Sequence, residues 1–412
     1  MKTFDILHRQ VTQSLYSKEI SEFYVFQRLK NISQLGPLKF KYINADHSRF
    51  NHSIGVSYLA YKTVENLQKK HPEITFNEII QVEIAGLLHD IGHSCFSHTF
   101  DSIVNSKHEE RSVKIVEYII KNMKVQTNEK GELTYPGVSC LTEKDITMIQ
   151  YFIDPVYFIK KHYPDVDFKK EIYLNFIPEL IKKGVLQPYF IGLEQIVNNQ
   201  ICQIDVDKID YIYRDKIKLT NDNTNYSNLI LNICNNIDII DNLLCFSFNF
   251  YDQIDALFRL RQNQYVDYYN SDESLIYEHV IKKCMEKLKL NFSCVKLETE
   301  NDFEEFFKLT DDYIINLIND DKDFIDLLNN NQTYIKMNIQ FVKGDSFEIC
   351  DDDIIYFEWK TLSDKSSPEN IKYCKWHTNG KYKITNETEK YSFINSRSDK
   401  PIIIKFFRKI KI

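Results

Sequence analysis

The sequence predicts a mostly α-helical body followed by a small C-terminal mixed α+β module, and three observations predict it. Gly and Pro are scarce, 10 and 9 in 412 residues, so turns are few and helices can run long. Up to about residue 330, apolar residues recur at helical spacing. Beyond it the pattern alternates with period two, as in Tyr334-Ile335-Lys336-Met337-Asn338-Ile339-Gln340-Phe341, the mark of a half-buried strand. A helical domain is therefore expected over 1–330 and a β-rich module over 331–412. A composition of 43% hydrophobic and 27% charged residues is that of a folded chain and excludes a disordered one.

The start, Met1-Lys2-Thr3-Phe4-Asp5, has no apolar h-region, so no secretory signal is expected. Phe50–Lys70 reads as a helix with Ile54, Leu59, Val64 and Leu67 on one side. Phe76–Leu88 is apolar nearly all round, as a buried helix is, and Asn77 is placed to cap it. His108–Met123 turns Val113, Ile115, Val116 and Ile119 inward, and Thr142–Phe152 and Leu174–Lys183 are shorter helices. Gln195–Ile217 reads as one long helix, followed by Tyr251–Tyr269 and Ser274–Leu290. The acidic stretches Glu298–Glu305 and Asp311–Asp323 read as solvated helix faces. Strands at Asp353–Trp359, Tyr373–His377 and Ile402–Ile410 complete the tail.

Fifty-two Lys and Arg against 59 Asp and Glu give a net charge of -7, which disfavours a surface coated for nucleic acid but leaves room for a local basic groove. No apolar run approaches the ~20 residues of a membrane helix. Nine cysteines without a CxxC pair fit a reduced compartment, cytoplasmic or nuclear. Eleven histidines are the informative count, because seven fall between His47 and His108.

The strongest local signal is His89-Asp90 at the end of the buried Phe76–Leu88 segment. An unpaired imidazole or carboxylate there costs several kcal/mol, so a partner is required. The pair alone is also compatible with a helix cap and a turn. His93 and His98 follow it, His52 lies on an earlier helix, and His108-Glu109 opens a later one. A divalent ion takes imidazole and carboxylate ligands together. A fourth ligand is expected from the segment Ile204-Asp205-Val206-Asp207-Lys208-Ile209-Asp210-Tyr211, where Asp207, Tyr211 and Asp215 share one stripe at i, i+4, i+8. Asp205 and Asp207 are about 200° apart on a helix, so only one can face the site. Spacing alone is equally compatible with a solvated helix laced with Asp–Lys pairs.

His52…His89-Asp90…Asp207 resembles the H…HD…D metal site of the HD-domain phosphohydrolases. The text around it is more specific. His47-Ser48-Arg49-Phe50-Asn51-His52, Leu88-His89-Asp90-Ile91-Gly92-His93-Ser94-Cys95-Phe96-Ser97-His98 and Ile204-Asp205-Val206-Asp207-Lys208 resemble the deoxynucleoside triphosphate triphosphohydrolases, as does Phe26-Gln27-Arg28-Leu29-Lys30 upstream. The likeness is to the HD core of the members that also carry a sterile-alpha-motif domain, and it covers roughly residues 5–290. It implies an HD-domain helical bundle, a divalent metal (Zn, Fe, Mn or Mg) held by His52, His89, Asp90 and Asp207, and water attack on the α-phosphorus of a dNTP. The products would be a deoxynucleoside and inorganic triphosphate. The resemblance assigns His98 as the acid for the 5′-oxygen, with His93 and His108 along the phosphates and Glu109 orienting one of them. Arg49, Lys208 and Arg261 match phosphate clamps. Gln34, Leu35, Tyr211, Asp215, Tyr269 and Asn270 match the sugar and base pocket. His47 reads as a structural hydrogen-bonding residue.

The pattern also departs from the family. The N-terminal stretch Phe4-Asp5-Ile6-Leu7-His8-Arg9 lacks the expected Pro and Gly, and the nucleotide-activated positions read Glu22, Gln27 and Lys30. Lys in place of Arg loses bidentate recognition, which puts activation by guanine nucleotide in doubt. Asn51 stands where Glu is common. A homo-oligomer, dimer or tetramer, is expected from the family and no membrane partner. Two rival readings stay open. One is an HD-domain hydrolase of nucleoside monophosphates, cyclic nucleotides or guanosine tetraphosphate. The other is a non-enzymatic scaffold whose tail, with Lys400, Lys405, Phe406, Phe407, Arg408, Lys409 and Lys411, weakly binds single-stranded nucleic acid; such lysines also protect strand edges.

Overall fold

A computed structural model describes residues 2–165 and 173–329, with the backbone of five strands beyond, Tyr334–Val342, Ile354–Trp359, Tyr373–Trp376, Tyr382–Thr385 and Ile402–Lys409. The body is a mostly α-helical bundle. It opens on an antiparallel hairpin, Lys2–Asp5 with Arg9–Thr12, in register Asp5↔Arg9.

Two helices at the centre set the site. Arg49–Lys70 and Phe76–Leu88 pack together where Gly86 faces Val56 and Ala60. A Cβ on Gly86 would lie 3.0 Å from the Ala60 Cβ and 3.3 Å from the Val56 carbonyl oxygen, so a larger residue would push the two helices apart by a few tenths of an ångström. His52 precedes Val56 by four residues and His89 follows Gly86 by three, so the same two faces bring the imidazoles together one turn further on. Phe76–Leu88 is buried along nearly its whole length, as expected. Its cap is Thr75, not Asn77. The Thr75 hydroxyl accepts the Glu78 N–H, and the Glu78 carboxylate accepts the Thr75 N–H. Asn77 already lies inside the first turn and donates to Asp145 instead.

The expected long helix over 195–217 is two pieces, Glu194–Val197 and Val206–Thr220. Short polar side chains break it. Asn199 Oδ1 accepts the N–H groups of Ile201 and Cys202, and Asp205 caps the second helix through the Lys208 N–H while also accepting the Asn199 N–H. The second helix buries Val206, Ile209 and Ile212 and lies against Arg49–Lys70. Tyr251–Gln264 is α-helical, but Tyr265–Tyr269 widens into an i→i+5 turn.

The acidic segments form the helices Glu300–Lys308, Asp311–Ile318 and Lys322–Leu328. Asp311 departs from the solvated reading, being 1% exposed. It accepts the N–H groups of Ser33 and Phe96 and pairs with Lys39 at 2.8 Å. The tail is an open β arrangement. Ile402–Lys409 lies between Tyr334–Val342 and Ile354–Trp359, antiparallel to both. Tyr373–Trp376 pairs parallel with Leu243–Ser247 of the body, joining the hairpin of Ile237–Ile240 and Leu243–Ser247 to Tyr382–Thr385. The expected strand ends Asp353, His377 and Ile410, and the tail residues Lys400 and Lys411, lie outside the described residues.

Candidate metal and nucleotide site

His52 comes from the first turn of Arg49–Lys70, His89 from the end of Phe76–Leu88, Asp90 from the loop that follows, and Asp207 from the first turn of Val206–Thr220. The imidazole Nε2 of His52 lies 3.0 Å from Asp207 Oδ1, and that of His89 lies 3.5 Å from the same oxygen. Each imidazole also has an Asp90 oxygen at 3.5 Å. Ligand atoms of His52, His89 and Asp207 fall within 4.8 Å of one another.

The far nitrogens are tied back. His52 Nδ1 donates to Asp210 Oδ1 at 2.8 Å, and His89 Nδ1 donates to the Gly86 carbonyl at 2.8 Å. Both acceptors lack a proton to give, so each ring keeps a proton on Nδ1 and presents Nε2 to the carboxylates, as a donor to them or, once deprotonated, as a ligand to a cation among them. His89 Nε2 is buried and has no hydrogen-bond partner, an orphan that a cation would satisfy. Burial opposes a charged His52, but its hydrogen bonds to Asp207 and Asp210 and the Asp90 charge outweigh it and raise its pKa to about 10. The anionic surroundings thus demand a positive charge, and the donor set of two imidazoles and carboxylates suits a divalent ion.

A second group adjoins it. His93, His98, Asp101 and His108 also place ligand atoms within 4.8 Å. The His93 and His108 rings stack at 3.7 Å, and His98 lies 4.9 Å and 5.2 Å from them. Asp90 Oδ1 links the two groups, at 3.4 Å from His93 Nε2 and 3.8 Å from His108 Nε2. The stacked rings are driven apart in charge. Burial and the Arg49 charge hold the His93 pKa well below its usual range. Burial also opposes charge on His108, but Glu109, Asp101 and Asp90 overcome it and raise its pKa. Asp101 is the nearer orienting group, 2.9 Å from His108 Nδ1, with Glu109 at 3.5 Å. The His98 side chain is 71% exposed, on the rim. Its helix, His98–Val104, follows Phe96 and Ser97, both at positive φ (57° and 54°), unusual for residues with a side chain. Asp311 on the Phe96 N–H and the Ser97 hydroxyl on the Ser33 carbonyl hold that turn.

The expected phosphate clamps differ in their freedom. Arg49 spends its nitrogens inside the protein, on Asp90 at 2.6 Å, the Ser97 hydroxyl at 3.0 Å and the Gln34 carbonyl at 3.3 Å. Lys208 pairs with Asp205 at 2.8 Å. Arg261 is buried beside Tyr211, and its Nε and one terminal nitrogen have no hydrogen-bond partner. Arg259 pairs with Asp255 on the surface. Tyr211 has its ring 6.5 Å from that of His52. Asp215 sits two turns along from Asp207, with His47 Nε2 on one oxygen at 2.7 Å and the Tyr269 hydroxyl on the other at 2.6 Å. Gln34 is buried with an unpartnered Oε1, Leu35 is half-buried, and Asn270 ends the wide turn, its Nδ2 donating to the Tyr265 carbonyl. Glu22 and Lys30 are exposed, and the Lys30 ammonium lies 4.8 Å from the Phe50 ring.

Sequence reasoning missed the groups that hold these residues. Asp210 accepts His52, Arg111 pairs with Asp101, and the Ser112 hydroxyl donates to the His89 carbonyl and accepts the Gly92 N–H. Asp210 carried a readable signal, since it lies three residues beyond Asp207 and so on the same face.

The HD domain family profile matches residues 49–176. The chain is 29% identical over 332 residues to the deoxynucleoside triphosphate triphosphohydrolase SAMHD1 homolog of Dictyostelium discoideum, covering 78% of this chain and 52% of that protein. It is 37% identical over 203 residues to the deoxynucleoside triphosphate triphosphohydrolase SAMHD1 of Gallus gallus, 46% of this chain and 29% of that protein. It is 30% identical over 339 residues to an HD domain-containing protein of Acanthamoeba polyphaga mimivirus, 76% of this chain and 62% of that protein. The chain thus spans only about a third to three fifths of the length of these relatives.

Proposed function

The chain is an HD-domain protein related to the HD-domain dNTPases, and on that premise we propose that it hydrolyses dNTPs to a deoxynucleoside and inorganic triphosphate. The observation that carries the reading is the convergence of two tied-back imidazoles, one with an orphaned Nε2, on Asp207 and Asp90. His52, His89 and Asp207, with Asp90 3.5 Å from both imidazoles, are the residues that would hold a divalent ion, Zn, Fe, Mn or Mg. Bound there, it would supply Lewis-acid activation of water and stabilise charge on phosphate oxygens.

The chain's own residues supply the rest. His98, on the rim, gives its proton to the departing 5′-oxygen. The pKa of His108 is raised, so it lies along the phosphates as a charged donor, while His93 beside it stays neutral. Glu109 and Asp101 keep His108 oriented. Arg261, with free nitrogens, is the principal clamp on the polyphosphate; Arg49 on Asp90 and Lys208 on Asp205 add fixed positive charge. Tyr211 packs on the ribose face, Asp215 accepts the 3′-hydroxyl, and Gln34, Leu35, Tyr269 and Asn270 close the sugar pocket. A buried cation with unpartnered nitrogens favours a polyphosphate over nucleoside monophosphates and cyclic nucleotides.

The test compares the purified chain with Asp207→Ala on each dNTP and its ribonucleotide. The reading predicts turnover of dNTPs that the substitution abolishes and weak or no turnover of ribonucleotides. An unchanged rate in Asp207→Ala would refute the ligand set.

A further inference from the structure

The hairpin at the start of the chain reaches the metal cradle through one buried carboxylate. Asp210 Oδ1 holds His52 Nδ1 at 2.8 Å, and its other oxygen, Oδ2, meets His8 Nε2 at 2.6 Å. The side chains of His8, His52 and Asp210 are all 0% exposed. Arg214 completes the group, giving its Nε to Oδ1 at 2.7 Å and a terminal nitrogen to Oδ2 at 2.9 Å. Its other terminal nitrogen goes to Asp5 at 2.8 Å. Asp5 in turn accepts the N–H groups of Leu7 and His8, each at 2.9 Å, which shapes the hairpin turn so that His8 points inward. The Ser227 hydroxyl holds the His8 carbonyl from outside at 3.1 Å.

The Arg49–Lys70 helix is notched to admit this group. A Cβ on Gly55 would overlap Asp210 Oδ2 and come within 2.9 Å of His8 Nε2. Asp210 thus receives two hydrogen bonds on each oxygen, an imidazole and a guanidinium nitrogen in both cases. Removing His8 leaves Oδ2 with Arg214 alone, so the carboxylate, still paired with the guanidinium, can shift into the vacated space and away from His52. His52 would then lose the bond that fixes which ring nitrogen carries the proton and which way the ring faces.

We propose that His8 is a positioning residue of the metal site, acting through Asp210 to aim the His52 Nε2 at the ion. The inference rests on the metal reading above, and it makes the first dozen residues part of the site although His8 and Asp210 are 202 positions apart.

The experiment measures Zn2+ affinity of the full chain by competition with a chromophoric chelator, with His52→Ala marking the share of binding that belongs to this cradle. His8→Phe keeps a ring but has no donor. It is predicted to weaken that share about 10- to 100-fold, whereas His8→Gln, whose amide can still donate to Asp210, recovers most of the loss. Asp210→Asn is predicted to weaken it comparably, and the double variant with His8→Phe to be no weaker than Asp210→Asn alone, because the two act in series. Circular dichroism checks each fold; if His8→Phe does not fold, Asp210→Asn and His8→Gln decide. A His8→Phe or Asp210→Asn chain that binds Zn2+ within about twofold of the parent overturns the positioning role alone. A parent chain that binds no Zn2+ overturns the metal reading and this inference with it.

Discussion

At the scale of single residues, the site divides into groups that name themselves and groups that do not. His89-Asp90 stands out because an ionisable pair ends an apolar segment, and Asp207 because helical spacing places it on one stripe with Tyr211 and Asp215. His8 carries no such mark, since its partner is remote in sequence and only the folded chain brings them together. Arg259 and Arg261 lie two positions apart on one helix, and only burial separates them, Arg261 inside and Arg259 paired with Asp255 on the surface. Arg261→Ala is predicted to raise the KM for dNTP by about tenfold or more, the loss of a charge-assisted contact, while Arg259→Ala leaves kinetics unchanged. His98→Ala should lower kcat by about 10²- to 10⁴-fold with little change in KM, the signature of a lost general acid. Steady-state kinetics on one dNTP reads both.

At the scale of elements, Phe76–Leu88 and the helices beginning at Arg49 and His108 were legible almost to the residue, because their apolar stripes are continuous. The break at residues 198–205 was not, because it depends on Asn199 and Asp205 choosing backbone partners over solvent. Asp311 departs from its solvated run for a related reason: an acidic run looks solvated until one member finds two buried N–H groups. Close packing also fixes particular glycines. Gly55→Ala is predicted to destabilise the chain by about 1–3 kcal/mol or more, read by denaturant melts, because a Cβ there meets the buried Asp210–Arg214 pair. Asp154 gives a pH-dependent test. It caps the helix Pro155–His162, and burial, only partly offset by the Tyr157 N–H, raises its carboxyl pKa to about 6. The folded chain therefore holds this proton more tightly than the unfolded one, whose carboxyl titrates near ~3.9, so the contribution is complete below that pH and is lost as pH rises through the folded value. Asp154→Asn keeps the cap and removes the ionisation. Its Tm should match the parent near pH 4 and exceed it at pH 7.5 by on the order of 1–3 °C.

At the scale of the whole molecule, a net charge of -7 leaves room for a local set of cations, and the buried carboxylates around His52 favour a positive charge there. Among the described residues, no helix is long and apolar enough to cross a membrane. The strand Tyr373–Trp376 pairs with the body hairpin, far in the chain from the cradle residues, so a chain ending at residue 330 is predicted to retain the parent's metal stoichiometry in elemental analysis. The change from helical to alternating pattern made the tail's strands readable, whereas the pairing of one of them with Leu243–Ser247 was not, since register between remote strands leaves no local trace. The central claim is tested most directly by incubating the chain with a dNTP and a divalent metal and resolving the phosphorus-containing products by 31P NMR alongside chromatography of the nucleoside. Triphosphohydrolysis gives deoxynucleoside and intact inorganic triphosphate in equal amounts; deoxynucleoside monophosphate with pyrophosphate, or no turnover with Zn, Fe, Mn or Mg, would rule it out.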